Sequence, residues 1–386
     1  MYSFLLIIIY IAFISLGLPD SLLGSAWPIM YGQLGVPMSY AGIITMIIAS
    51  GTIISSLMSD KLTRKLGAGL VTAISVMMTA VALFGFSVSN SFLMLCLWAI
   101  PYGLGAGAVD AALNNYVALH YASRHMSWLH CFWGIGATVS PYIMSYCLTH
   151  NFGWNSGYRS VAVLQIVLTA ILFASLPLWK RENTIESSSE ALTATLSLPQ
   201  ALKIKGVKFV LLAFFGYCAL ETTTGLWASS YLVEFRGIDS EIAAKFTSLF
   251  FIGITFGRFL CGFIADRTGD KLLIRFGIII VIFGIILVGF PGVRNITALI
   301  GLVIIGLGCA PVYPSIIHST PSNFGEKNSQ AIIGIQMASA YVGSTFMPPL
   351  FGLIADNINI GLYPIFLMFF AILMLVMSEI LNRVVE

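Results

Sequence analysis

Ser56–Lys65 reads SLMSDKLTRK and Gly262–Lys271 reads GFIADRTGDK. Each stretch closes a long apolar segment with an acid followed by bases, and the two acids, Asp60 and Asp266, stand 206 residues apart. Three more pairs recur in the same order at nearly that offset. Asp20-Ser-Leu-Leu-Gly corresponds to Glu221-Thr-Thr-Thr-Gly at 201, with Trp27 and Trp227 soon after. Gly103-Leu-Gly corresponds to Gly306-Leu-Gly at 203, and Gly136-Ala-Thr-Val-Ser-Pro141 to Gly343-Ser-Thr-Phe-Met-Pro348 at 207. Four ordered pairs at nearly one offset indicate a duplicated unit.

The 386-residue chain is 58% hydrophobic and only 9% charged, against roughly 25% charged in a soluble protein. A globule of this composition would expose a largely apolar surface, so the chain belongs in a lipid bilayer. A spanning helix takes about 20 mostly apolar residues. Twelve such segments can be read, near 3–24, 39–59, 67–88, 91–118, 126–148, 158–178, 207–232, 241–264, 272–291, 295–318, 328–354 and 360–382. The first lacks Lys or Arg ahead of its apolar run and has no clear small-residue cleavage site after it, which predicts a retained helix rather than a signal peptide. Fourteen of the 19 Lys and Arg residues fall in the connections after even-numbered segments or after the last one. The positive-inside rule then places those connections and both termini in the cytoplasm, in a bacterial cytoplasmic membrane. A polar stretch at 180–206 separates a first six-helix bundle, 1–179, from a second, 207–386. The expected fold is all-α, with twelve transmembrane helices in two pseudo-symmetric six-helix bundles and a solute site where the repeats meet.

Composition and motifs exclude several functions. The net charge of +3 gives no case for nucleic acid. The six cysteines (96, 131, 147, 218, 261 and 309) lie in apolar runs without a CxxC pair, so they read as small buried hydrophobes rather than zinc ligands or disulfides. No HExxH, Walker loop or GxSxG with partners is present, which argues against an enzyme and against ATP-driven transport. GLGAGA at 103–108 partly mimics a dinucleotide fingerprint but lies inside an apolar helix with no preceding strand.

GFIADRTGDK resembles the loop signature of the major facilitator superfamily, G-x-x-x-D-R-x-G-R-K. The first copy departs from it at Ser56, Lys61 and Thr63 but keeps Asp60, Arg64 and Lys65. The resemblance implies that these loops make charge contacts that open and close during transport, which assigns gating to Asp60, Arg64, Asp266 and Arg267. GLPDSLLGSAWP (17–28), GLGAGAVDAALNNY (103–116), LHCFWGIGATVSPY (129–142) and LETTTGLW (220–227) are similar to the fucose permease branch of sugar:proton symporters. That branch carries an acid on its first helix, matched by Asp20. It carries another four residues before an Asn on its fourth, matched by Asp110 and Asn114.

Three acids, Asp20, Asp110 and Glu221, sit inside spanning segments. An ionised carboxylate there costs about 2.5–3.5 kcal/mol even on lenient scales, so each marks a functional site. A carboxyl group that water reaches from alternate sides can load and release a proton, which makes these three the candidates for proton coupling. Asp110 and Asn114 share a helical face, and an acid beside an amide suits a sugar diol. The Gly103-x-Gly105-x-Gly107 run permits close helix approach. On the fifth segment His130 and Trp133 share a face, where the Trp can stack on a sugar ring or simply pack, and the His can bind the solute, bridge helices or relay a proton. Trp27, Trp227, Tyr231, Tyr313 and Gln336 complete the solute-binding candidates. Arg258, two turns before Asp266, is read as a structural charge contact near the cytoplasmic gate and joins the gating set. The predicted function is proton-coupled symport of a sugar or similar polyhydroxy solute by a monomeric carrier, with no cofactor beyond the coupling ion. Sodium coupling and proton-driven efflux of a small amphipathic compound are the alternatives. Efflux is disfavoured because Ser140-Pro141-Tyr142-Ile143 lacks the Gly-Pro and paired glycines of the drug antiporters.

Overall fold

Proline 19 has no N–H to give to the carbonyl of Ser15 four residues earlier, so the first helix must break or find another donor. It does both. The side-chain amide of Gln165 donates to the Ser15 carbonyl, and the Ser15 hydroxyl donates back to Gln165 Oε1 at 2.8 Å. Ser21 forms a turn, and a second helix resumes at Leu22.

The computed structural model describes residues 2–37, 40–186, 196, 198–290 and 295–385. The helices are α1 (Tyr2–Asp20), α2 (Leu22–Leu34), α3 (Ala41–Leu66), α4 (Ala68–Val88), α5 (Phe92–His120), α6 (Ser123–Thr149), α7 (Gly153–Glu186), α8 (Leu198–Ala201), α9 (Val207–Ser230), α10 (Ser240–Thr268), α11 (Asp270–Gly289), α12 (Asn295–His318), α13 (Thr320–Phe324), α14 (Glu326–Ile354) and α15 (Tyr363–Val385). No strand occurs among the described residues. Among the described residues, ten stretches are long and apolar enough to cross a membrane, and the last, Glu326–Val385, contains both α14 and α15. The twelfth crossing is α6, whose 27 residues include His, Ser and Trp side chains that lower its apolarity. The protein is thus an all-α, multi-pass membrane protein, and the short α8 and α13 lie between crossings. Of the polar stretch at 180–206, residues 187–195 and 197 lie outside the described residues.

Contacts divide the chain into two units. The first comprises residues 1–116 and 132–197, and the second residues 117–131 and 198–386. The end of α5 and the beginning of α6 therefore group with the second unit, although they lie in the first half of the sequence.

The sequence repeats have matching packing roles inside each unit. Gly103 on α5 faces the backbone carbonyl of Ile48 on α3, and Gly306 on α12 faces that of Phe250 on α10. Two residues on, a Cβ at Gly105 would lie 2.7 Å from the Ser75 carbonyl of α4, and one at Gly308 would lie 2.8 Å from the Gly277 carbonyl of α11. Gly136 on α6 faces the Ile14 carbonyl of α1, and Gly343 on α14 faces the Phe215 carbonyl of α9. Lipid supplies no hydrophobic drive between helices, so such backbone-to-backbone approach and hydroxyl bonds must hold them together. Ser55 and Ser56 on α3 add bonds to the Leu104 and Gly107 carbonyls at 2.6 and 3.2 Å.

A side chain at these glycines must push two backbones apart. Gly103→Val and Gly306→Val should each destabilise by about 1–3 kcal/mol, whereas Gly24→Ala, with nothing within 4 Å of the added carbon, should be neutral or stabilising. Thermal unfolding of the purified protein in detergent checks the contrast.

Candidate functional site

The α1 break presents Asp20 at a helix end, where its carboxylate is held by two neutral donors. The Tyr102 hydroxyl of α5 donates to Oδ1 at 3.1 Å, and the Trp133 indole N–H of α6 donates to Oδ2 at 3.0 Å. The Asp20 side chain stays open on one side, and Trp133 is half-buried. The indole is thus engaged through its N–H rather than only packed between helices. Asp110 lies near enough to Asp20 for the two carboxylates to interact electrostatically. Asn114, fully buried, donates to the Asp110 side chain at 2.8 Å and to its backbone carbonyl at 2.9 Å. The acid and amide predicted to share a face therefore form a bonded pair. Together Asp20, Tyr102, Asp110, Asn114 and Trp133 make a polar group on α1, α5 and α6 of the first unit.

The second unit carries a different arrangement around its own acid. Glu221 on α9 meets Arg258 of α10 at 3.5 Å, and Arg258 also donates to the Tyr217 hydroxyl at 3.3 Å. The guanidinium sits over the Tyr313 ring, 5.8 Å from its centroid, within range of a cation–π contact. Tyr313 in turn stacks edge-on against His130 at 4.6 Å and near Phe214 at 4.6 Å, and its hydroxyl lies 3.3 Å from the Met337 sulfur. Arg258 is only 3% exposed. The charge contact expected of Arg258 is made with Glu221 of α9, while eight residues of helix, about 12 Å, separate it from Asp266.

Asp266 bonds elsewhere. It accepts from the Arg124 backbone N–H at 3.0 Å and pairs with the Arg124 guanidinium. Asp270, at the start of α11, accepts from the Ser123 hydroxyl at 2.6 Å and lies 2.6 Å from His318 Nδ1. The GFIADRTGDK stretch thus uses two acids to hold residues 121–124. In the first copy, Asp60 is buried and pairs with Arg64 one turn later at 2.8 Å. Arg267 is exposed.

Several other candidates lie in packed interiors. Trp27 is 4% exposed and belongs to the apolar cluster of Leu22, Met30 and Leu83. Trp227 donates to the Pro348 carbonyl at 2.9 Å and packs on Phe351, fastening α9 to the proline-containing part of α14. Tyr231 donates to the Val288 carbonyl at 3.2 Å and stacks on Phe235. Gln336 is fully buried and accepts from Thr320 at 3.0 Å, beside the short α13. Sequence reading missed Tyr102, Tyr217, Ser123, Arg124, Asp270 and His318 as partners. Only Asp270 carried a signal, since it falls within the repeated loop stretch.

Removing one partner of a buried ion pair leaves a charge without compensation, a loss of about 3–5 kcal/mol. Glu221→Gln should destabilise the protein on that scale. Glu221→Leu combined with Arg258→Met should cost less than Glu221→Gln alone, which thermal unfolding of the three proteins checks.

Similarity to known proteins agrees with this architecture. Bypass of stop codon protein 6 of Saccharomyces cerevisiae is 20% identical over 390 residues, covering 92% of this chain and 78% of that protein. The glucose/mannose transporter GlcP of Bacillus subtilis is 24% identical over 314 residues, covering 78% and 75%. The crystal structure of the fucose:proton symporter FucP of E. coli shares the fold, with a TM-score of 0.74 at 17% identity over 98% of each chain. The sequence profile of the Major Facilitator Superfamily matches residues 9–326 and again 211–381. Helices, repeats and profile together make the chain a member of the Major Facilitator Superfamily, a membrane transporter of a small solute rather than an enzyme.

Proposed function

We propose that this transporter is a symporter that carries a sugar or similar polyhydroxy solute together with a proton. One observation carries the reading: the first unit gathers two carboxylates, an amide, a phenol and an indole on three membrane-crossing helices. Carboxylate and amide oxygens accept from sugar hydroxyls, while amide, phenol and indole groups donate to them. An aromatic ring beside them suits the apolar face of a pyranose. The proton falls to Asp20 and Asp110. The phenol and indole donors on Asp20 and the amide donor on Asp110 are neutral groups, beside which a carboxylate can take up a proton. Glu221 differs because Arg258 already balances it, and its role is to orient that cluster rather than to carry the proton. The sugar and proton named for the glucose/mannose transporter and the fucose:proton symporter support the same reading.

Purified protein in proteoliposomes, given radiolabelled glucose, mannose, fucose and galactose under an inward proton gradient, tests it. At least one sugar should accumulate, and dissipating the gradient should abolish accumulation. Asp20→Asn or Asp110→Asn should lower gradient-driven accumulation at least about tenfold, equivalent to about 1.4 kcal/mol, while sugar counterflow persists. Unimpaired accumulation by both variants, or accumulation driven by sodium alone, contradicts the proposal.

A further inference from the structure

Both ring nitrogens of His318 face oxygen acceptors. Nδ1 lies 2.6 Å from Asp270 Oδ2, and Nε2 lies 3.2 Å from the backbone carbonyl of Tyr121. A carboxylate and a carbonyl can only accept, whereas a neutral imidazole has a single N–H. The two contacts are simultaneously hydrogen bonds only when the ring is protonated. We infer that His318 is a proton-operated clasp: as an imidazolium it ties the α5–α6 connection, through Tyr121, to Asp270 of α11, and on losing its proton it releases one side of that tie.

The surrounding groups fit this role. Asp270 is additionally held by the Ser123 hydroxyl at 2.6 Å, so the carboxylate stays aimed at the ring. Asp266, at the end of α10, is occupied by Arg124 of the same connection. Lys271 points into a small cleft with Ile316, Ser319 and Asn323. His125 packs edge-on against Tyr121 at 5.7 Å. The α13 sequence TPSNF adds no acid or base, and the first charges of α14, Glu326 and Lys327, are exposed. The His318 and Asp270 side chains are 20% and 15% exposed, so protons reach them from solvent. This end of the helices carries the Lys and Arg excess, which assigns it to the cytoplasm. The clasp would therefore respond to cytoplasmic pH, whatever solute is carried. The sign is fixed by the chemistry: the tie is complete at low pH and is lost as pH rises through the histidine's titration. A hydrogen bond to a charged group changes an opening equilibrium by roughly tenfold to a hundredfold.

Hydrogen–deuterium exchange of the full chain in detergent tests this, because the Arg124 amide donates to Asp266 and reports attachment of the connection directly. After correction for chemical exchange rates, protection of residues 120–126 should fall at least about tenfold between pH 5.5 and 8.5. A reference peptide within α11, residues 278–288, should not change. His318→Gln should show low protection at both pH values, and His318→Arg, which keeps its charge and several donors, high protection at both. Unchanged wild-type protection across that range overturns the inference. So does a His318→Gln protein that titrates like the wild type while its reference peptide remains protected.

Discussion

An anionic side chain among apolar helices must be balanced, bonded or wetted, and the polar interior of this transporter is organised by how its three buried-segment acids meet that demand. Asp20 rests between a phenol and an indole. Asp110 is bonded to an amide one turn away. Glu221 has a guanidinium. Neutral donors stabilise a carboxylate without fixing its charge, whereas a buried cation makes loss of that charge costly, because the cation would then stand alone. Asp20 and Asp110 thus accept from neutral donors, whereas Glu221 meets a guanidinium.

That division grew out of a duplicated unit. The glycines that let α5 approach α3 and α4 have counterparts that let α12 approach α10 and α11, and the α1–α6 contact at Gly136 is repeated between α9 and α14 at Gly343. The scaffold has been kept while the polar groups diverged. The buried stretch of α3 offers hydroxyls, Thr52, Ser55 and Ser56, and its counterpart α10 offers Arg258. An aromatic shell of Tyr217, Tyr313, Phe214 and His130 gathers beside that cation. Backbone packing tolerates few changes at a close approach, while a side chain facing a polar recess can change its chemistry without disturbing the helices around it.

The sequence disclosed what depends on local spacing. The repeats, the twelve apolar segments and the Asp110–Asn114 bond all follow from periodicity or from four-residue steps on a helix. Contacts between distant segments were less legible. Nothing in the neighbourhood of Tyr102 says that its hydroxyl meets Asp20, 82 positions away. A charge contact for Arg258 was legible but its partner was not, because packing delivers Glu221, 37 positions earlier on another helix. Trp27 and Trp227 follow the repeated acids and so attracted a binding role, but large apolar rings are also the best fillers of a core, and both are packed. Residues 117–131 group with the second unit, to which Tyr121, Ser123 and Arg124 are bonded across up to 197 positions.

Proton symport makes each translocated neutral sugar carry charge across the membrane. The most direct test is the current evoked when proteoliposomes adsorbed on a solid-supported membrane are switched from a non-transported polyol to a transported sugar, at neutral and at alkaline pH. Symport predicts an inward positive current that weakens as protons become scarce and that vanishes in Asp20→Asn and Asp110→Asn together. A sugar flux with no accompanying current, or a current indifferent to pH and to both substitutions, would contradict it.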